Sequence, residues 1–135
     1  MSVRDLEVRN PYNIQSNALQ PFNGQQDLST ATAINVSGNA SAAVVFGGII
    51  TSTTAAAVAL AFPSGFAAAL SALMPFNSVG STVQCLVVNA GPNAITFSSS
   101  DGNTSLLDAS ASIASHTSRM VNFVISATTP AVVVY

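Results

Sequence analysis

The chain of 135 residues is long enough for one domain with a single hydrophobic core. Charged residues make up only 6% of it, where soluble domains usually have about 25%, and the net charge is −2. With three basic residues and no basic patch, the chain cannot neutralise phosphates, so we expect no nucleic-acid partner.

The few charges are concentrated near the start of the chain. The part after residue 27 carries only Asp101, Asp108 and Arg119. Surface charge normally keeps copies of a soluble protein apart. One interpretation is therefore a neutral, polar β domain. The other, which we favour, is a body whose surface is largely covered by copies of itself or by a partner.

Residues 1–28 predict an extended N-terminal arm, and residues 29–135 a β domain, because the first part has neither a helical nor a strand period. We expect the arm to be disordered in the free protein and to order on a partner.

The arm repeats one pattern, a Pro followed by an aromatic residue and Asn, at Tyr12 and again at Phe22. These two rings could anchor the arm in pockets of a partner, with Arg4 and Arg9 paired to carboxylates there. The alternative is that they are ordinary aromatic residues of a loop.

From residue 31 onward, alternating side chains predict strand after strand. Val58, Leu60 and Phe62 alternate with alanines, which gives a strand with one large and one small face. The other predicted strands are Thr32 to Val36, Ala43 to Phe46 continued past two glycines by Ile49 and Ile50, short strands around Leu106 and Ile113, Met120 to Ser126, and Ala131 to Tyr135.

One short helix is predicted over Gly65 to Met74. Phe66, Leu70 and Leu73 recur at helical spacing, Ser64 precedes them as a cap, and Pro75 ends the run. The surrounding apolar window is mostly alanine and is interrupted by a proline and a glycine, so we expect no membrane span.

The segment Gly80 to Ser99 predicts two strands, Thr82 to Asn89 and Ala94 to Ser98, joined as a hairpin by Ala90-Gly91-Pro92-Asn93. The single cysteine, Cys85, shares a face with valines and is expected to be a buried, inert thiol. Together these patterns predict an all-β fold, an antiparallel sandwich or jelly-roll-like small barrel with one short helix.

Residues that could perform chemistry are few. One histidine, His116, and one cysteine cannot form a zinc site, and no serine-hydrolase motif is present. Leu106 and Ser112 stand where a calcium loop needs Gly and Glu, so an ordinary turn is favoured over calcium. The residues with the spacing of such a loop are Asp101, Asn103, Ser105 and Asp108. We therefore predict no catalytic residue, no cofactor and no metal, and not an enzyme.

The second half of the chain resembles a family of known proteins. The residues concerned are Val79-Gly80-Ser81, Leu86 to Gly91, Ala94 to Phe97, a strand led by Arg119, and a closing Ala131 to Tyr135. This order is similar to virion structural proteins of tailed phages and related large DNA viruses. The resemblance implies a small β domain, commonly trimeric, that decorates a capsid or forms a fibre or spike.

The expected function is that of a capsid cement or decoration protein. Such a protein binds the major capsid protein on the outer surface of the virion as a symmetric oligomer, a homotrimer first. The alternative is a head-fibre, tail-fibre or spike module that binds a host receptor or glycan. A small hydrolase or sugar-binding domain is the third hypothesis, which the lack of convergent polar residues disfavours.

Overall fold

The computed structural model describes residues 30–74, 78–107, 112–127 and 129–135. The predicted arm lies outside these residues, as do Pro75 and Asp108. In chain order the described elements are β1 (Thr30–Ala33), β2 (Gly38–Asn39), α1 (Ala42–Gly47), β3 (Gly48–Ser52), β4 (Val58–Phe62), α2 (Phe66–Leu73), β5 (Thr82–Asn89), β6 (Ile95–Ser99), β7 (Thr104–Leu106), β8 (Ser112–Ile113), β9 (Thr117–Ala127) and β10 (Ala131–Val134).

The described strands form two sheets, so the β-rich class is confirmed. The larger sheet has the order β1-β3-β5-β9-β10-β7, and the smaller has the order β2-β4-β6-β8. From β1 to β9 the chain changes sheet at every connection. Neighbours within a sheet are therefore often two strands apart in sequence and run in the same direction.

The prediction of antiparallel sheets is wrong because of this alternation. β1 with β3, β3 with β5, β2 with β4, β4 with β6, and β7 with β10 are parallel pairs. The antiparallel pairs of the described strands are β5 with β9, β9 with β10, and β6 with β8.

The predicted hairpin between residues 80 and 99 is also wrong. β5 lies in the larger sheet and β6 in the smaller one, so the turn at Gly91 passes from one sheet to the other. Among the described strands, no backbone hydrogen bonds pair β5 with β6, and the side chain of Asn89 links the turn to the smaller sheet instead. Its Nδ2 donates to the backbone oxygens of Asn93, Ile113 and Ala114 at 2.8, 3.1 and 3.0 Å. Its Oδ1 accepts from the N–H of Gly91 at 3.1 Å.

A second short helix, α1, forms where the sequence pattern predicts a strand. Ser41 has extended backbone and its Oγ accepts a hydrogen bond from the N–H of Val44 at 3.3 Å, which caps the helix start. Gly48 ends the helix in the left-handed conformation, with φ 92°, and donates to the oxygen of Val45. These two caps outweigh the strand preference of the valines between them.

The helix predicted over residues 65 to 74 is confirmed as α2, but its predicted cap is wrong. Gly65 is the capping residue, in the left-handed conformation with φ 82°, and it has no side chain to offer. Asp101 supplies the acceptor instead, and its Oδ2 lies 2.8 Å from the backbone nitrogen of Ala67.

The buried side chains of both sheets and both helices form one core. Phe123 of β9 meets Phe62 of β4 edge to face, with ring centroids 5.4 Å apart, and Phe66 of α2 lies 4.8 Å from Phe62. Cys85 is fully buried, and burial raises the pKa of its thiol to about 12. The prediction of a buried thiol is confirmed.

Candidate functional site

One face of the larger sheet points away from the core and carries large apolar residues among uncharged polar ones such as Thr51, Thr82 and Ser118. On β5 the buried residues Val83, Cys85 and Val87 alternate with Gln84, Leu86 and Val88, and the same alternation continues on β3, β9 and β10. We call the large apolar residues on this side the outer apolar face. They are Ile49, Leu86, Val88, Met120, Val124, Val133 and Tyr135.

The strand register brings these side chains together in rows. Ile49 of β3 lies opposite Leu86 of β5, which in turn lies opposite Met120 of β9. In a second row, Val124 of β9 lies opposite Val133 of β10. Residues paired in this way share a side of the sheet, so each row is a continuous apolar strip across neighbouring strands.

An amide pair lies on the same face between the first of these rows, which we call the central row, and the second. The Nε2 of Gln84 donates to the Oδ1 of Asn122 at 3.1 Å, across the β5–β9 pair. The backbone of Asn122 is also bonded to that of Tyr135, at 2.9 and 3.2 Å, which extends the sheet to the side chain of Tyr135. The outer apolar face is therefore held by a continuous hydrogen-bonded sheet.

The outer apolar face reaches solvent. The exposed fraction is 41% for Met120 and 50% for Tyr135, while Ile49, Leu86 and Val88 are partly buried. Single exposed apolar residues are ordinary on a protein surface, but a contiguous group of them marks an interaction site.

No charged side chain of the described residues lies on this face. Asp101 is buried at the start of α2, and Arg119 lies opposite Val87, a core residue, on the other side of the sheet. The described part of this face therefore carries no charged side chain.

The smaller sheet provides a contrast within the same molecule. Its residues that point away from the core are small, among them Ala59 opposite Thr96 and Ala61 opposite Ser98. The prediction that β4 has one large and one small face is confirmed by its burial pattern. Both outward faces lack charge in the described chain, but only that of the larger sheet carries large apolar groups.

Asp101, considered above as a calcium ligand, is engaged within the fold. Its Oδ2 also accepts from the hydroxyl of Thr104 at 2.8 Å, and its Oδ1 accepts from the N–H groups of Gly65 and Asn103, each at 3.4 Å. The hydrogen bond from Ala67, more than any other contact, lowers the pKa of this carboxyl. Among the residues described, no three of His, Cys, Asp or Glu are grouped to hold a metal ion.

A surface depression of about 410 Å³ lies beside His116. His116 has a left-handed backbone, with φ 57°, and its N–H donates to the oxygen of Gly91 at 3.2 Å. Asn89 lines the depression, but the hydrogen bonds that cross between the sheets engage its amide. His116 is the one titratable side chain among the residues that line this depression, so no acid–base pair forms there.

The four predicted partner-binding residues, Arg4, Arg9, Tyr12 and Phe22, lie outside the described residues. Their role stays a prediction. Sequence reasoning missed the outer apolar face, although a signal was present. Runs such as Leu86-Val87-Val88 and Val132-Val133-Val134 are apolar at consecutive positions, which is typical of strands covered on both sides.

The fold and this surface define a class, namely a β-rich protein of two mixed sheets with an uncharged apolar face. Comparisons with protein families, with curated proteins and with solved structures found no match. In the part of the chain described, no helix has both the length and the apolar character needed to span a membrane.

Proposed function

We propose that the chain is a virion structural protein, a capsid cement or decoration protein. It binds the major capsid protein on the outside of the shell as a symmetric oligomer, with a homotrimer as the expected order, and stabilises the shell. The observation that carries the proposal is the outer apolar face, because a charge-free apolar surface on a nearly charge-free body suits a building block.

The finer fold class also belongs to this proposal. We infer that the two sheets pack face to face as a sandwich of the kind common in virion proteins. Support comes from the single core to which both sheets contribute, where the rings of Phe62 and Phe123, one from each sheet, pack edge to face with centroids 5.4 Å apart.

In this proposal the arm attaches the body to the shell. Tyr12 and Phe22 fill pockets of neighbouring capsid subunits, and Arg4 and Arg9 pair with carboxylates there. Replacing either ring by Ala removes a buried anchor and costs about 2 kcal/mol, or about thirtyfold in affinity.

The test is a capsid-binding assay with the full chain and with a chain lacking residues 1–28. We expect the truncated protein to fold, as measured by circular dichroism, and to lose binding to purified shells. Y12A and F22A should each weaken binding, while S98A, on the outward face of the smaller sheet, serves as the matched control. Binding that is unchanged without the arm would contradict the cement role.

The second candidate is a head-fibre, tail-fibre or spike module that binds a host receptor or glycan. Tyr135 favours it, because a half-exposed aromatic ring on a sheet is the kind of group that stacks on a sugar. Adsorption of the purified protein to host cells, abolished by Y135A and insensitive to removal of the arm, would support this candidate against the first.

A further inference from the structure

We propose that the outer apolar face of the larger sheet is a self-association surface, and that its occupant is the same face of a second copy of this chain. The contact is two-fold. It goes beyond the homotrimer proposed above, since it gives a dimer by itself and a hexamer together with a three-fold contact.

The first argument is that the larger sheet carries large apolar residues on both of its faces. A sheet with one solvated face normally alternates apolar and polar residues, whereas the outward sides of β5 and β9 also carry large apolar groups, interspersed with uncharged polar ones. These apolar residues are Leu86, Val88, Met120 and Val124. The four-stranded sheet and the two helices share the core on one side. The row of Ile49, Leu86 and Met120 on the other side needs a second layer.

The second argument is charge complementarity. A partner of different sequence is usually selected by opposite charges, and this face offers none in the described chain. A charge-free face fits another charge-free face without repulsion, and a second copy always supplies one at equal concentration. The amide pair of Gln84 and Asn122 contains both donors and acceptors, so its chemistry also matches that of its own copy.

The third argument is the area of the surface. Four strands spaced at about 4.8 Å give the face an extent of roughly 20 Å by 20 Å, or about 400 Å². This is about half of what each partner buries in a standard stable interface of about 800 Å². The pairing is therefore a weak, reversible contact that forms at micromolar or higher protein concentration. In it the two sheets pack face to face at a spacing of about 10 Å.

The main experiment is sedimentation of the full chain over about 1 to 200 µM. We expect the mass to double as the concentration rises, whether the associating unit is a monomer or a trimer. The variant L86K/M120K changes two paired residues of the central row, so that like charges meet across the contact, and should weaken association at least about tenfold. The control variant A59K/T96K changes two paired residues on the outward face of the smaller sheet and should associate as the wild type does.

A second experiment does not require the fold to tolerate lysine at partly buried positions. M120C places a thiol at the centre of the face, and A59C places one on the opposite side of the molecule. A short bis-maleimide should link M120C to a second copy and leave A59C single, since Cys85 is buried in both.

Three results would overturn the proposal. They are a wild-type mass that does not rise with concentration, equal association of the two lysine variants, and equal linking of M120C and A59C. None of these measurements uses a capsid, so they separate this proposal from the cement role, which the arm deletion tests.

Discussion

The carboxylate of Asp101 accepts a hydrogen bond from the backbone N–H of Ala67, 2.8 Å away and 34 positions earlier in the chain. It thereby caps α2, whose own capping position is held by a glycine. The same carboxylate binds Thr104 at the start of β7, so one side chain joins a helix to a strand of the larger sheet.

Replacing Asp101 by Ala should lower the free energy of unfolding by about 2 kcal/mol, because it removes the cap and leaves buried donors unpaired. Urea unfolding followed by circular dichroism measures the change. S105A, an exposed position on the adjoining strand, is the matched control and should leave stability within about 0.5 kcal/mol. Equal stability of D101A and the wild type would show that the cap is not needed.

The acid dependence of stability should also depend on Asp101. Its folded pKa lies below the usual value, so its contribution is complete above pH of about 4 and is lost as the pH falls through the folded pKa. D101N, which cannot titrate, should lack this part of the acid slope in urea unfolding measured from about pH 5 down to about pH 2. Parallel curves for the two proteins would contradict the prediction.

Gly91 should not tolerate any side chain. A Cβ at this position would collide with the backbone oxygen of Thr54, where the chain passes between the sheets. We expect G91A to destabilise the fold by more than about 2 kcal/mol, since a backbone atom cannot yield as a side chain can. G102A, where the added methyl group meets open space, is the control, and equal melting temperatures of the two variants would refute the prediction.

Replacing Asn89 by Asp should destabilise the fold even more than G91A does. N89D keeps the shape but replaces the amide NH2 group, which donates to the oxygens of Asn93, Ile113 and Ala114, by a carboxylate oxygen that faces these acceptors. The expected loss is about 3 kcal/mol or more at neutral pH, partly recovered under acid conditions in which the new carboxyl is protonated. N122D, in the partly exposed amide pair, should cost far less.

The thiol of Cys85 should react only when the fold opens. It is fully buried, and its raised pKa of about 12 keeps it protonated at neutral pH. Labelling with a maleimide should be slow in buffer and should accelerate with urea in parallel with unfolding. S118C adds an exposed thiol that should react at once, and equally fast reaction of Cys85 would contradict the structure.

The sequence predicts which side chains of each strand face the core, but it does not predict which strands pair with each other in a sheet. Alternation identifies Val58, Leu60 and Phe62 as core residues whether the strand pairs with its neighbour in sequence or with one further away. The turn at Gly91 is equally compatible with a hairpin and with a passage between sheets, because both bury the same side chains. The close approach of Gly91 to Thr54 that distinguishes them is long-range.

The two helices illustrate the same limit. The period of Phe66 and Leu70 indicates α2, but its cap comes from a residue 34 positions away, which no local pattern reveals. For α1, Val44 and Val45 favour a strand, and the caps at Ser41 and Gly48 decide otherwise. The outer apolar face was visible as consecutive apolar residues, but its meaning depended on knowing which sheet carries it.

The position of β9 in the larger sheet determines when the protein can fold during synthesis. β9 lies between β5 and β10, so until residue 127 has been made the sheet consists of separate parts and Val83, Cys85 and Val87 lack their neighbours on β9. The parallel pairs add to the delay, because each needs an intervening segment to be complete. A chain that stops before β9 therefore lacks the strand that joins β5 to β10, and we expect its apolar core residues on β5 to stay exposed.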